Sequence, residues 1–536
     1  MRANVPSIAP QFLRSRIGKV CVAIIGATPA EMLEKATAAV KETPFVEFRL
    51  DYLEKPLLAL PKIKHFFAEN TAATGIATCR RAANGGKFTG SVAAEVEILS
   101  KAAAAGFHIV DLELESAESL KRPGIQKLRE TGVALIISHH DFSQTKDLEG
   151  IYQRIIPFQP DFIKIVPTAK TLTDNVTLIR FLEHMDDHSN IIGICMGDAG
   201  IISRVLGVRA GSAFTFAAAT TGEETGPGQI AARTLIETYR IDQVDAATKV
   251  YGVAGNPIRS SLSPIMMNTA FRRETVNAVY LALQANKLSD LLKLVHEIPI
   301  QGLSVTMPLK QEIMAHLEKT DPLSAKIGAC NTVLRAQDGN LYGFNTDVAG
   351  IIGPLEKRMS LRGAKALVLG AGGAGRAAVF GLRDKGADVF ILNRTPETAH
   401  KLARQSGSRS IKKEALAKTS FDVIINSTPV GMAGQKTAQI LEAKDLNTKL
   451  VFDLVYNPLE TPLLRLARQQ NIPIITGIEM FVQQGARQFE IWTGKPAPEE
   501  EMLRVVIHAL RQAAEAAAAA SPVPTAKAAK SKKKAS

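Results

Sequence analysis

The chain has 536 residues, of which 65 are Lys or Arg and 52 are Asp or Glu, for a net charge of +13 at neutral pH. That length predicts two or more domains at about 100–200 residues each. A hydrophobic content of 46% with 39 glycines excludes wholesale disorder and a collagen-like fibre. No run of ~18 apolar residues, the length a membrane-crossing helix needs, occurs in the sequence. No membrane partner is therefore expected. The segment MRANVPSIAPQFLRSR lacks the continuous apolar core of a secretory signal.

The four cysteines, Cys21, Cys79, Cys195 and Cys330, form no CxxC and lie in or beside apolar runs. They read as small buried hydrophobes in a reducing, cytoplasmic compartment, with no disulfide framework and no metal site. The positive charge is partly local. Residues 516–536, AAAAASPVPTAKAAKSKKKAS, carry five lysines and no acid, which leaves +8 on the rest. This segment has no apolar period and is expected to be a disordered, solvated tail. Nucleic acid is not an expected partner beyond weak phosphate contacts of these lysines.

Residues 19–218 contain eight short β-like runs: KVCVAIIG, FVEFRLDYL, GIATCR, IVDLEL, ALIISHHDF, FIKIVPTA, IIGICM and AFTFAA. Stretches with helical spacing separate them. That count over about 240 residues fits a (β/α)8 barrel, and an open doubly wound sheet fits the same pattern. The rhythm restarts after a linker near 238–248. Residues 249–345 read β-α-β-α-β-α and end in a hairpin around Asp338-Gly339. Residues 365–477 read as a second α/β unit, and a helical C-terminus follows. The expected organisation is an N-terminal barrel (1–241), an α/β lobe (249–350), a Rossmann lobe with C-terminal helices (351–515) and the tail (516–536).

The sharpest local signal is KALVLGAGGAGRAAVFGL. A strand runs into Gly370-x-Gly372-x-x-Gly375 and an Ala-rich helix follows. The glycines permit the turn, the approach of a pyrophosphate and close helix–strand packing, and the helix N-terminus offers free N–H groups to phosphate. At the next strand end an acid would select NAD through the ribose hydroxyl. Here the residues are Asn393-Arg394-Thr395, and the arginine suits a 2′-phosphate, so NADP is predicted.

In GNPIRSSLSP, Ser261 and Ser263 precede Pro264 in a helix-capping arrangement that leaves one hydroxyl for a ligand. SVTMPLK places Lys310 after a strand, at the start of a helix, and GFNTD places Asp347 at the start of another. A lysine and a carboxylate paired in space can pass a proton to and from a substrate hydroxyl. In a barrel the site lies at the strand C-terminal ends. Those ends carry Glu47, Arg49 and Asp51, then Arg80 and Arg81, then His139, His140 and Asp141, with Arg204 after the seventh. Lys164 lies inside the apolar run FIKIVP. Burial there favours the neutral amine, a Schiff-base nucleophile. Either histidine could serve as the acid/base.

The series GNPIxxSxSP, VTxPxK, GAxNT, GxNTD, GAGGAG, NRT, NSTPVGM and YNPLxTPLL closely resembles shikimate dehydrogenase over residues 249–495. The resemblance implies a catalytic pair, Lys310 and Asp347. It implies that Ser261, Ser263, Thr306, Asn331, Asp347, Tyr456 and Gln484 hold shikimate or 3-dehydroshikimate. It further implies that Gly370, Ala371, Gly372, Gly373, Ala374, Gly375, Asn393, Arg394, Thr395, Leu454 and Gly477 meet NADP.

The motifs EFRLD, TCRxxxxGG, SHHDF, DFIKI, SRVLG and TGPGQI are similar to type I 3-dehydroquinate dehydratase over residues 19–240. That likeness makes Lys164 the Schiff-base lysine and His140 the general acid/base. Glu47, Arg49, Arg80, Arg204, Thr225 and Gln229 would then bind 3-dehydroquinate. One position departs from the family. Asn84 stands where relatives have a glutamate on the histidine, and the expectation is a slower dehydratase. Thr225 replaces a serine of many relatives and keeps the hydroxyl. The domain order resembles the plant-type bifunctional enzymes of the shikimate pathway, although no plastid transit segment is visible. A quinate-preferring dehydrogenase, or a metabolite-sensing regulator built on these domains, remains an alternative.

Overall fold

The computed structural model describes Leu13 and residues 15–185, 190–434 and 439–520. The chain divides into two compact units, Met1–Pro264 with Thr275–Thr306, and Ile265–Glu274 with Met307–Ser536. Among the described residues no helix is long and apolar enough to cross a membrane. All four cysteines are free and buried.

The first unit begins with eight strands: β1 (Val20–Ile24), β2 (Phe45–Arg49), β3 (Thr74–Thr78), β4 (Ile109–Glu113), β5 (Ala134–His140), β6 (Phe162–Val166), β7 (Ile191–Gly193) and β8 (Thr215–Ala218). Their order is β7-β6-β5-β4-β3-β2-β1-β8, and each pairing between them is parallel. An open doubly wound sheet reverses its strand order at a switch point. Here the order is sequential and β8 returns to β1, so the sheet curls into a nearly closed barrel. Where β7 meets β8, Ala213 N–H donates to the Ile191 carbonyl at 2.7 Å and Gly193 N–H to Ser212 Oγ at 3.1 Å.

Side chains at i and i+2 of a strand share a face. This period explains the barrel interior. Phe45, Ile76, Ile109, Ile136, Phe162 and Phe214 form an apolar layer at the N-terminal end. Phe214 meets Phe45 edge-on at 4.8 Å and Phe162 at 5.9 Å. Two residues further along these strands come Glu47, Thr78, Asp111, Ser138, Lys164 and Phe216, so the polar layer lies directly above the plug. The helices α1 (Pro29–Ala39), α2 (Pro56–Glu69), α3 (Val92–Ala104), α4 (Leu114–Arg129), α5 (Leu148–Ile155), α6 (Leu172–His184) and α7 (Ser203–Arg209) fall between the strands.

The first unit also holds β9 (Lys249–Gly255), β10 (Ala278–Gln284) and β11 (Ile300–Val305), with β9 paired in parallel to both neighbours. Helix α8 (Ser263–Arg273) follows β9, and α9 (Leu288–Glu297) follows β10. The helix expected at Lys310 is a correction. Lys310 lies in a turn, and only a short 3-10 segment, Glu312–His316, follows. The chain then passes into the short strand β12 (Lys319–Thr320), which pairs in parallel with the strand Leu341–Phe344.

In the second unit α10 (Pro322–Ile327) precedes β13 (Thr332–Arg335) and β14 (Leu341–Phe344), the expected hairpin, and α11 (Asp347–Glu356) follows. A parallel sheet contains β15 (Lys365–Leu369), β16 (Asp388–Leu392), β17 (Arg409–Ser410), β18 (Val423–Asn426), β19 (Val451–Asp453) and β20 (Ile474–Ile475). Its order, β17-β16-β15-β18-β19-β20, reverses at β15. Ligands of doubly wound sheets bind at that reversal. Helices α12 (Gly373–Asp384), α13 (Pro396–Ser406), α14 (Pro462–Gln469), α15 (Gly477–Thr493) and α16 (Glu499–Ala520) complete the unit. The tail expectation is corrected at its start. Helix α16 runs through Ala520, because an alanine run propagates a helix already nucleated by a packed segment. The remainder of the tail lies outside the described residues, as do residues 1–12.

Candidate active sites

All eight residues expected in the barrel site, Glu47, Arg49, Arg80, His140, Lys164, Arg204, Thr225 and Gln229, line one pocket at the strand C-terminal ends. Lys164 is 4% exposed. Its Nζ donates to Asp111 Oδ2 at 2.8 Å, lies 3.9 Å from Glu47 Oε1, and sits 3.9 Å from the centre of the Phe216 ring. Ser138 Oγ donates to Asp111 Oδ1 at 2.5 Å, and Thr78 Oγ1 to Glu47 Oε1 at 2.7 Å. Burial works against ionisation of Asp111, but Lys164 and Arg80 outweigh it and hold the carboxyl well below its usual range.

The neighbours separate the two histidines. His140 lines the pocket, and its Nδ1 is 2.7 Å from Glu113 Oε1. His139 faces Glu115 at 3.0 Å and does not line that pocket. The three arginines also differ. Arg49 grips Asp51 with two hydrogen bonds of 2.9 and 2.8 Å. Arg80 lies 2.7 Å from Glu113 and 3.4 Å from Asp111. Arg204 donates to two carbonyls, Gly228 O at 2.8 Å and Phe216 O at 2.9 Å. Burial pushes its guanidinium down to about 10, so it stays charged at neutral pH. Of the three it is the one whose guanidinium meets no carboxylate among the described residues. Thr225 N–H and Oγ1 donate to Gln229 Oε1 at 2.7 and 3.2 Å, which ties the two ends of the covering loop together.

Asn84 requires a correction. Its side chain donates to Glu115 Oε2 at 3.0 Å and accepts from Arg81 at 3.4 Å, rather than bonding His140. A carboxylate at position 84 would meet Glu115. We therefore expect Asn84→Glu to leave the dehydratase kcat/KM no higher than in the parent, measured with 3-dehydroquinate; an accelerated variant would contradict this. The sequence reading missed Asp111 and Glu113. Their signal was present in IVDLEL, where two acids alternate with apolar residues on one face of a buried strand.

In the second unit Lys310 and Asp347 form a hydrogen-bonded ion pair. Asp347 opens α11 and is buried, so its carboxylate faces the positive end of that helix. Asn331 Nδ2 donates to its Oδ1 at 2.7 Å. Asn331 Oδ1 accepts from Thr346 N–H at 2.7 Å and Thr332 Oγ1 at 2.8 Å. Gln484 Oε1 lies 3.5 Å from Asn331 Nδ2, and the Tyr456 ring stacks on Phe481 at 4.4 Å. Gln488, which the sequence reading missed, donates to the Asn331 carbonyl at 3.1 Å and Thr332 Oγ1 at 3.0 Å. Gln484 and Gln488 are one turn apart on α15, and that spacing was the available signal.

Ser261, Ser263 and Thr306 belong to the first unit. Ser261 Oγ accepts from Ser263 N–H at 3.2 Å, and Ser263 opens α8. Thr306 follows β11.

The glycine-rich turn after β15 fits a dinucleotide. Gly370 has φ +105, a conformation that side chains rarely adopt. A Cβ on Gly375 would lie 2.4 Å from the Gly370 carbonyl, whereas one on Gly372 would meet nothing within 4 Å, which leaves an open backbone face for a pyrophosphate. Ala371, Gly373 and Ala374 complete the turn and the start of α12. A Cβ on Gly373 would come within 3.0 Å of Lys310 Cδ, so the turn adjoins that lysine. Asn393 donates to the Thr395 carbonyl at 3.0 Å, Arg394 is exposed beside it, Leu454 follows β19 and Gly477 opens α15.

One chain therefore joins a barrel with a buried lysine and histidine to a dinucleotide-binding sheet with a lysine–aspartate pair. Residues 20–246 match the family model for type I 3-dehydroquinase. Residues 253–333 match the shikimate dehydrogenase substrate binding domain, 355–458 shikimate/quinate 5-dehydrogenase and 477–507 the shikimate 5′-dehydrogenase C-terminal domain. The chain is 32% identical to the chloroplastic bifunctional 3-dehydroquinate dehydratase/shikimate dehydrogenase of Arabidopsis thaliana, over 90% of this chain and 83% of that one. It is 40% identical to the NADP(+) shikimate dehydrogenase of Pyrococcus furiosus over 50% of this chain and 99% of that one. Among solved structures, the dehydroquinate dehydratase and shikimate dehydrogenase of S. pombe AroM is 25% identical with a TM-score of 0.42, covering 93% of this chain and 99% of that one. Shikimate 5-dehydrogenase of Thermus thermophilus, in complex with NADP(H) and shikimate, is 37% identical with a TM-score of 0.46, covering 49% and 100%. The chain belongs to the bifunctional enzymes that unite a type I 3-dehydroquinate dehydratase with an NADP-dependent shikimate dehydrogenase.

Proposed function

We propose that the barrel dehydrates 3-dehydroquinate through a Schiff base on Lys164, and that the dehydrogenase reduces the resulting 3-dehydroshikimate to shikimate with Lys310 and Asp347 as the proton-handling pair. The observation that carries this reading is the buried Lys164 amine, in one pocket with His140 and the free charge of Arg204. Arg204 binds the substrate carboxylate, while Glu47, Arg49, Arg80, Thr225 and Gln229 hold the ring hydroxyls. Lys164 condenses with the ketone, and the iminium acidifies the neighbouring C–H. His140 takes that proton and returns it to the departing hydroxyl.

In the dehydrogenase, Ser261, Ser263, Thr306, Asn331, Tyr456 and Gln484 bind the product of the first reaction. NADPH, when bound, supplies the hydride. Lys310 protonates the oxygen that becomes the new hydroxyl, and Asp347, held by Asn331, orients Lys310. We assign 1–241 to the dehydratase, 249–350 to the substrate lobe and 351–515 to the nucleotide lobe. We place the enzyme in the cytoplasm, with small molecules and no nucleic acid as its partners; free buried thiols suit that compartment.

Purified protein given 3-dehydroquinate and NADPH, with no other enzyme, should oxidise NADPH. Silence with that substrate and with 3-dehydroshikimate would sink the reading. Arg394→Ala should raise the KM for NADPH roughly 10- to 100-fold through loss of a charge-assisted phosphate contact, with the NADH value unmoved. Equal effects on both cofactors would remove Arg394 from the 2′-phosphate.

A further inference from the structure

Glu47, Asp111 and Glu113 are all buried at the C-terminal end of the barrel. Asp111 receives Lys164 and Ser138, and Glu47 receives Thr78. Glu113 Oε1 accepts from Ser138 Oγ at 3.1 Å, lies 2.7 Å from Arg80 Nε, and comes within the same 2.7 Å of His140 Nδ1. Strands β4 and β5 pair in parallel with Glu113 opposite Ser138, and His140 is two residues beyond on the same face. The carboxylate and the imidazole are thus both strand-borne, and packing fixes their mutual geometry.

We propose that Glu113 is the positioning residue of the dehydratase: its carboxylate keeps a proton on His140 Nδ1, so that Nε2 is the basic atom offered to the substrate. This rests on the Lys164 and His140 reading above. With the iminium formed, the C–H beside it breaks, its proton moves to Nε2, and its electron pair forms an enamine. The charge of the imidazolium is then balanced by the Glu113 carboxylate, with the proton staying on Nδ1. Nε2–H next delivers that proton to the departing hydroxyl as the C–O bond breaks. The enamine π electrons form the new ring double bond, the nitrogen lone pair re-forms the iminium, water leaves and the Nε2 lone pair is restored; hydrolysis of the iminium then frees Lys164 and the product ketone. Asn84, bonded to Glu115 and Arg81, brings no negative charge to the imidazole, so Glu113 supplies it from β4.

The charged groups around the pair come from every side: Arg80 after β3, Arg49 at the end of β2, Asp111 on β4, Lys164 on β6 and Glu115 on α4. Burial pushes Glu113 up to about 7 against the pull of Arg80. Burial, with Arg80 and Lys164, holds His140 well below the usual imidazole range. Glu113 is therefore the member that gains a proton first as the pH falls. Once protonated, its O–H donates to Nδ1, the ring proton shifts to Nε2, and the base is lost.

The test compares full-length parent, Glu113→Gln and Glu113→Ala in two measurements. One is dehydratase kcat/KM across pH. The other is borohydride trapping of 3-dehydroquinate, read by mass. Glutamine still accepts from Nδ1–H but does not titrate. Its acid limb should move down by more than about one pH unit, with the adduct retained. Alanine should keep the adduct and lose ~10²- to 10³-fold in kcat. A Gln variant with the parent's acid limb, or an Ala variant with the parent's kcat, overturns the role of Glu113. A parent that traps no adduct overturns the Lys164 reading instead.

Discussion

Lys164→Met abolishes the dehydratase, by at least ~10⁴-fold in kcat, and leaves reduction of added 3-dehydroshikimate intact. The methionine fills most of the volume of the lysine stem, and Arg80, 3.4 Å from Asp111, remains to neutralise that carboxylate. The barrel should therefore keep its fold while losing the one amine in reach of the ketone. Two readouts on the same preparation decide the matter. Formation of the conjugated enone product from 3-dehydroquinate should vanish, and so should the mass adduct trapped by borohydride. A variant that still dehydrates at a tenth of the parental rate would remove the Schiff base from the mechanism, because among the described residues no other lysine lines the pocket.

Asp347→Asn and Lys310→Met should each lower the kcat for 3-dehydroshikimate reduction by ~10²- to 10⁴-fold, the range for loss of a positioned proton donor. The dehydratase should be unaffected, since both residues lie in the second unit. Asp347→Asn is the sharper of the two. The amide preserves shape and can still meet Asn331, but it removes the charge that holds Lys310. The expected loss is in kcat, with KM for NADPH unchanged, because Gly370, Gly372 and Gly375 are untouched. An unchanged kcat in Asp347→Asn would reduce the pair to a structural ion pair.

Many of the residues proposed for both sites are readable in the sequence. Lys164 stood out because a charge inside FIKIV is costly unless it is paired or has a task, and the structure pairs it with Asp111. Lys310 and Asp347 were readable only as members of a motif series, since each alone is an ordinary surface charge. The helix expected at Lys310 failed because local propensity does not register a strand partner for Lys319–Thr320 that arrives from β14. Glu113 and Asp111 escaped notice because an acid in a strand is unremarked until the face it shares with a lysine and a histidine is known. Asn84 was misplaced for the same reason. Its position relative to the arginine motif was visible, but the loop fold that turns it to Glu115 was not.

The sequence by itself carried the eight strands of the barrel, the glycine turn and the arginine that suits a 2′-phosphate. These follow from side-chain chemistry and from periods of two and 3.6 residues, both local properties of a chain. Tertiary structure alone decided which partner each charge receives. Barrel closure brings Lys164 to Asp111 and His140 to Glu113, and leaves Arg204 with only carbonyls. Those pairings join residues far apart in sequence inside a low-dielectric interior, where position sets the free energy of a charge.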